Sequence, residues 1–313
     1  MNAGASPALL VTAPHCPLDG ALAVCAARHG IKLERCINVN APSFVERIHC
    51  LLPDLLLIAG CSQILRAEIR NAARLGVVNF HPSLLPAYRG KEPHFWVILR
   101  GETVTGCTAH HVTDDIGAGP ILLQCEVPVG PRATSASLAR DVDAAGAQLI
   151  PELLALARTG ALPPGHILTE TGTVRPPLRR EYGLVDWSHS AIELDRLIRA
   201  CVSEISAFCY FAGMKLVLLE AEPLEALIRE ASPGTIVALG SGTVRVATES
   251  GDLLVRRWLF LDRLHDSDEL ASRLAMRVGD RLCANPAYAS VQPSRSQMAE
   301  TDTQVQLAME QTE

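Results

Sequence analysis

Short apolar runs alternate with helically spaced apolar residues through the first half of the chain. ALLVT at 8–12 reads as a buried strand, and LDGALAVCAARHG then takes helical spacing and stops at Gly30, a position suited to a helix C′ residue. IKLERCINV reads as a second strand and residues 43–52 as a helix. DLLLIAG at 54–60 is a continuous apolar run closed by glycine, the mark of a strand buried on both faces. IRNAARLG ends a helix and VVNFHP is the next strand. TVTGCTAHHV at 103–112 and ILLQCEVPV at 121–129 add two more strands. A long amphipathic helix then begins near Thr134 or Ser135, either of which suits a cap. Alternating strands and helices predict an α/β domain with a mostly parallel sheet.

The pattern changes after a Pro- and Arg-rich stretch at Arg175–Arg180, which reads as a linker. YGLVDWSHSAIELDRLIRAC predicts a turn and a helix, with Ser188 or Asp186 as cap. The segments beyond are short strands separated by turns, with G-S-G at 240–242 as a hairpin turn. Such spacing suits a small barrel or sandwich. The domains expected are therefore 1–178, 182–288 and a polar, disordered tail at 289–313.

Composition narrows the classes. The chain has 313 residues, 48% of them hydrophobic, enough for two domains with sizeable cores. There is no uncharged apolar run of membrane-spanning length, and MNAGASPALLV lacks the basic start of a signal peptide. The ten cysteines form no C-x-x-C pair, which fits reduced, mostly buried thiols of a cytoplasmic protein. A formal charge of −6 and the lack of a long basic stripe disfavour nucleic acid as the main partner. His110 and His111 are adjacent on a strand, face opposite ways and make no metal-ligand set, so no metal is expected.

Candidate chemistry lies between residues 77 and 120. Asn79 and His81 stand two apart where a buried parallel strand should end, the edge at which open α/β sheets bind ligands. By itself N-x-H fits a turn cap and a structural histidine. The surrounding N-F-H-P-S-L-L-P-A-Y-R-G, followed by G-E-T-V-T-G-C-T-A-H-H-V, resembles the folate-dependent formyltransferases, a family that includes methionyl-tRNA formyltransferase and the amino-sugar N-formyltransferases. GLVDWS, A-F-C-Y-F-A-G-M-K-L and P-G-T-I-V resemble the C-terminal domain of the tRNA and sugar enzymes.

The resemblance implies a Rossmann-like formyltransferase domain followed by an OB-like β-barrel domain. It implies 10-formyltetrahydrofolate as co-substrate and a primary amine as acceptor. Asn79 and protonated His81 would stabilise the oxyanion on the formyl oxygen, and losing one such donor costs roughly 3–4 kcal/mol. Gly60, Cys61, Ser62, Gln63 and Ile64 would line the folate pocket with Ser83, Leu84, Leu85, Pro86 and Ile116. Arg89 and Gly90 would lie on the acceptor side.

Two departures from the pattern stand out. The aspartate that holds the family's histidine falls on Gly117, and Asp115, or its neighbour Asp114, is the substitute expected. The family's first strand-helix unit has no counterpart ahead of Ala8–Thr12, which suggests self-association across that edge. The loop APHCPLDG carries no Lys or Arg where the tRNA enzymes have a basic loop. The readings this leaves are an N-formyltransferase acting on a small amine such as an amino sugar nucleotide or amino acid derivative, a methionyl-tRNA formyltransferase, and a degenerate relative that binds folate or a partner without turnover.

Overall fold

The structure, a computed structural model, describes residues 7–15, 20–167, 172–202, 205–225 and 231–284. The expected tail at 289–313 lies outside the described residues. The chain divides into two compact units, Met1–Arg89 with Gly106–Val127 and Val142–Gly172, and Gly90–Thr105 with Pro128–Asp141 and Thr173–Glu313.

The first unit opens with β1 (Leu10–Thr12), α1 (Ala21–Arg28) and β2 (Leu33–Arg35). α1 ends as its sequence predicts, with Gly30 at φ +64, a conformation in which a side chain is strained. α2 (Pro42–Leu51), β3 (Leu56–Ala59), α3 (Ala67–Arg70) and β4 (Val77–His81) follow, then the two-residue β5 (Arg89–Gly90), whose second residue is counted with the second unit. β6 (Val104–His111) and β7 (Ile121–Pro128) complete a sheet of order β3-β4-β6-β7. β1 pairs with β2 and β3 with β4 in parallel, while β6 joins β4 antiparallel. Val78, Ala109 and Leu153 form the centre of the core on this sheet, with Phe80, Leu122 and Leu123 packed against them.

β3 corrects one sequence reading. It is not buried on both faces: Leu56 and Ile58 are half-buried, while Leu57 is 42% exposed and Ala59 is exposed too. Among the described residues β1 and β2 form their own two-stranded sheet, so β3 is an edge strand of the four-stranded one. An edge position restores the alternation that a central strand loses.

α5 (Ser135–Ala157) follows β7, and its first turn is closed by a reciprocal pair. The Ser137 amide donates to Thr134 Oγ1 at 3.1 Å and the Thr134 amide to Ser137 Oγ at 3.0 Å. Thr134 is therefore the capping side chain.

The second unit holds α4 (Pro93–Arg100), β8 (Val174–Arg175), a single 3-10 turn (Arg180–Gly183) and α6 (Ala191–Ala200). The cap of α6 is Ser190, not Ser188 or Asp186. Ser190 and Glu193 form a complete capping box, while Asp186 accepts from the Ser188 amide in the turn before it. β9 (Ala207–Phe211), β10 (Met214–Leu224), β11 (Ile236–Gly240), β12 (Thr243–Ala247), β13 (Asp252–Phe260) and β14 (Arg263–Asp266) make an antiparallel sheet, and α7 (Ser267–Arg273) follows. Leu216, Val244, Val246, Leu253, Val255 and Trp258 of this sheet are fully buried.

The sheet runs in the order β11-β12-β13-β10-β9, with β14 on β13. Its two ends are linked by single bridges to one segment rather than by a continuous ladder. Cys283 bridges Tyr210 of β9, and Arg281 bridges Thr235 just before β11. Among the described residues no helix is long and apolar enough to cross a membrane.

Candidate functional site

The site is built on the end of β4 and the strand beside it, within the first unit. Asn79 lies directly opposite His110 and His81 directly opposite Thr108 in the antiparallel β4–β6 pair. Residues two apart on a strand share a side, and directly opposed residues share it too. Four polar side chains therefore gather on one face of the sheet.

Asn79 Nδ2 donates to His110 Nε2 at 3.2 Å, and the other ring nitrogen of His110, Nδ1, donates to the His111 carbonyl at 2.8 Å. These two partners fix the neutral tautomer with the proton on Nδ1. Burial, with help from the nearby His81, His111 and Arg89, pushes the His110 pKa down to about 4. The sequence reading only set His110 aside as a metal ligand; the register places it against Asn79. A polar residue directly opposite Asn79 on the partner strand was the available signal, but it needs the register.

His81 is 7% exposed, and its Nε2 donates to the Tyr88 carbonyl at 2.8 Å. Nδ1 then carries the lone pair and makes no hydrogen bond among the described residues. Burial holds the His81 pKa below the ordinary histidine value, and the Arg89 charge pushes the same way. The imidazole is thus neutral near pH 7, and the expectation of a protonated His81 does not fit its surroundings.

The segment after β4 is pinned from β6 and β7. Thr108 Oγ1 donates to the Ser83 carbonyl at 2.6 Å and accepts from the Leu85 amide at 3.1 Å. Gln124 Nε2 reaches both Thr108 Oγ1 at 2.8 Å and the Leu85 carbonyl at 3.0 Å. Ser83 Oγ donates to the Ala87 carbonyl at 2.6 Å, closing the Ser83-Leu84-Leu85-Pro86 turn, whose Leu85–Pro86 bond is cis. Ser83 is itself fully buried, so its hydroxyl is spent on the turn.

Gly60 to Ile64 form the loop after β3, with Gly60 at φ +69. Gln63 ties this loop to the one after β2: its Oε1 accepts from the Val39 amide and its Nε2 donates to the Ile37 carbonyl, both at 3.1 Å. Asn40 adds a bond to the Ile64 carbonyl at 2.9 Å. Cys61 Sγ lies 3.6 Å from the Gln63 carbonyl, Ser62 sits between them, and Ile64 is 64% exposed. Gln63 is thus a loop fastener. The Cys107 thiol is pushed up to about 12 by burial and stays protonated.

The loop carrying Gly117 does not bring a carboxylate to His81. Asp114 is ion-paired with Arg70, which also donates to the Leu65 carbonyl at 3.0 Å and the Thr113 carbonyl at 3.4 Å. Asp115 is exposed and makes no hydrogen bond or ion pair to His81 among the described residues; its charge acts on Arg89. Ile116 is 46% exposed. Gly117, at φ +65, lies against the stem of Arg89, and a Cβ there would stand 3.2 Å from Arg89 Cγ. Gly90 belongs to the second unit, where a Cβ would come within 2.9 Å of the Arg175 carbonyl oxygen. Arg70 and Asn40 were not singled out from the sequence, because a fastener between loops has no local signature. Among the described residues no group of His, Cys, Asp and Glu could hold a metal ion.

Comparison with known proteins gives the family of the chain. The family model for formyl transferase matches residues 30–154, and that for the formyl transferase C-terminal domain matches residues 177–262. The methionyl-tRNA formyltransferase of Trichlorobacter lovleyi is 33% identical over 230 residues, 74% of this chain and 72% of that one. The enzyme of the same name from Roseiflexus castenholzii is 35% identical over 230 residues, 74% of this chain and 73% of its own. The chain belongs to the formyl transferase family.

Solved structures share the formyl transferase fold at lower identity. HypX from Aquifex aeolicus, in complex with tetrahydrofolic acid, superposes with a TM-score of 0.64 at 20% identity, over 87% of this chain and 48% of that one. This chain therefore spans about half the length of HypX. The N-formyltransferase from Helicobacter canadensis, in complex with folinic acid and dTDP-3-aminofucose, superposes with a TM-score of 0.57 at 16% identity, over 75% of this chain and 82% of that one. Within this formyl transferase the residue facing the Arg89 stem is Gly117.

Proposed function

We propose that this formyl transferase moves the formyl group of 10-formyltetrahydrofolate to a primary amine of a small molecule, such as an amino sugar nucleotide or an amino acid derivative. The observation that carries the reading is the pair on β4. Asn79 has an N–H left over beyond its bond to His110, and His81 has its Nδ1 lone pair free, on the same side of one strand.

The pair suits an acyl transfer in which the amine nitrogen attacks the formyl carbon. The formyl oxygen takes up negative charge, and the second N–H of Asn79 donates to it. His81 Nδ1 takes the proton that the amine must lose. The bond from the formyl carbon to the folate nitrogen then breaks, and that nitrogen receives the proton from His81. One formamide and one tetrahydrofolate result, with no net proton taken up. Asn79 and His81 are the catalytic residues of this reading. Asp115 acts on the charge of Arg89 rather than on His81. The loop at 60–64, with Ser83 to Pro86 and Ile116, lines the folate side, the loops at strand ends being where such sites collect. The matched spans 30–154 and 177–262 leave 155–176 between them, just ahead of the boundary at 178–182 read from the sequence.

Methionyl-tRNA as acceptor is the second reading, favoured by the names of the relatives above and by a match that extends into the C-terminal domain. The acidic total charge of −6 stands against it. The test is release of tetrahydrofolate from 10-formyltetrahydrofolate with a panel of amino sugar nucleotides, amino acids and methionyl-tRNA. Amine-dependent release with a small amine supports the first reading. Release with methionyl-tRNA alone replaces it by the second, and no release with any acceptor removes both.

A further inference from the structure

Arg70 joins two of the loops assigned above to the folate side. It ends α3, and its side chain is only 13% exposed. Its guanidinium donates to the Leu65 carbonyl at 3.0 Å and to the Thr113 carbonyl at 3.4 Å, and it pairs with Asp114. The first contact lies at the end of the loop after β3, and the other two lie on the loop between β6 and β7. One planar guanidinium, with several donors in a fixed fork, thus reaches both.

The two loops are held in unequal ways. The loop after β3 has fasteners of its own: Gln63 binds Val39 and Ile37, and Asn40 binds the Ile64 carbonyl and accepts from the Arg66 amide at 2.8 Å. The loop after β6 leaves the foot of β4, where the Val112 amide donates to the Val77 carbonyl at 2.9 Å. By Gly117 it lies against the stem of Arg89. Between those points, among the described residues, Thr113 Oγ1 and the Ala118 amide both donate to the Asp115 carbonyl at 3.3 Å, bonds that stay inside the loop. Arg70 supplies the hydrogen bonds that tie this stretch to the rest of the unit. An exposed apolar side chain stands near each end of the tie. Ile64, 64% exposed, precedes Leu65, and Ile116, 46% exposed, stands two residues beyond Asp114. Apolar side chains left in water on two loops joined by one cation suit the faces of a flat bound ring.

We infer that Arg70 is a positioning residue for the formyl donor: it latches the loop between β6 and β7 onto the loop after β3, so that Ile64 and Ile116 are set at the spacing of the donor's flat bicyclic head. The inference rests on the formyl-transfer reading and deepens its donor site. The bond to Leu65 holds the guanidinium in place, and the contacts with Thr113 and Asp114 take up the loop. Asp114 is 90% exposed, so water weakens its share of the latch. A wall fixed beforehand spares the donor the cost of ordering it on binding. Loss of the latch therefore weakens donor binding and leaves the chemistry at Asn79 and His81 as it was.

The test measures donor affinity and turnover separately in the full chain. Tetrahydrofolate and 10-formyltetrahydrofolate are titrated by calorimetry, and steady-state rates are taken with an amine that the wild type turns over. Arg70→Met should weaken binding of both folates by about five- to thirtyfold and raise KM for the donor to match, with kcat and KM for the amine within about twofold. Arg70→Lys should recover part of the affinity, and Asp114→Asn should cost about two- to threefold. A lower melting temperature with folate affinity unchanged would make Arg70 a residue of the fold alone and overturn the inference, with formyl transfer intact. A fall in kcat, or a rise in KM for the amine alone, would overturn it too. If Arg70→Met fails to fold, Asp114→Asn decides, and donor affinity equal to wild type in that variant overturns the latch. Folate binding that depends on Arg70 in a chain that turns over no amine would instead sink the formyl-transfer reading and leave the latch standing. With neither folate binding nor turnover in the wild type, both fall.

Discussion

His110 joins the acid limit of the fold to the reactivity of Asn79. Its pKa lies near 4 in the folded chain against an ordinary 6.5, so the unfolded chain binds the extra proton between those values. Stability is therefore full above about pH 6.5 and falls as pH drops toward 4, by about 3 kcal/mol in all. Denaturant melts across that range should show the slope in wild type and a shallower one in His110→Phe. The same variant frees the Asn79 amide, and kcat should drop about three- to tenfold with little change in KM, one neutral hydrogen bond's worth of positioning. His81 makes a separate prediction. Its pKa is lowered by burial, so the fall of kcat/KM on acidification should be centred below the ordinary histidine value of 6.5. A decline centred at or above 6.5 would show that His81 titrates as though exposed or carboxylate-paired.

At the level of elements, Thr108 of β6 is the pin that shapes the turn after β4. Thr108→Val keeps the volume but leaves the buried Leu85 amide and the Gln124 amide short of an acceptor, at a cost of about 1–3 kcal/mol. The melting temperature should fall, and KM for the folate should rise more than KM for the amine. β4 and β6 were legible from their apolar runs, and Asn79 with His81 from the motif around them. The contact between Asn79 and His110 was not, because it depends on which residue of β6 stands opposite, and sequence spacing does not set that register. The exposed face of β3 was hidden for the same reason: an apolar run cannot say whether its second edge is paired. The hairpin into β14 turns on Leu261 and Asp262, both at positive φ without a glycine to announce the turn. α6 was placed correctly, but its cap was misassigned because Ser188 drew attention from the S-x-x-E of Ser190 and Glu193. Asp115 is not the partner of His81 for a reason no linear reading holds: the loop leaves it exposed and pairs its neighbour Asp114 with Arg70.

For the whole molecule, the proposed choice of a small amine over tRNA rests on charge. A formal charge of −6 predicts weak binding of tRNA at physiological salt, with whatever binding remains at low salt falling steeply as salt rises. Turnover of a small amine involves few counterions and should change much less over the same range. Filter binding of methionyl-tRNA beside the amine assay, from 50 to 200 mM salt, compares the two directly. Tight tRNA binding at the upper end would move the acceptor assignment to the second reading. The most direct check on the chemistry is single-turnover release of tetrahydrofolate from 10-formyltetrahydrofolate, with and without a responsive amine, in wild type and His81→Ala. The account predicts release that requires the amine and falls at least about a hundredfold in the variant. Release at the wild-type rate in His81→Ala would contradict it.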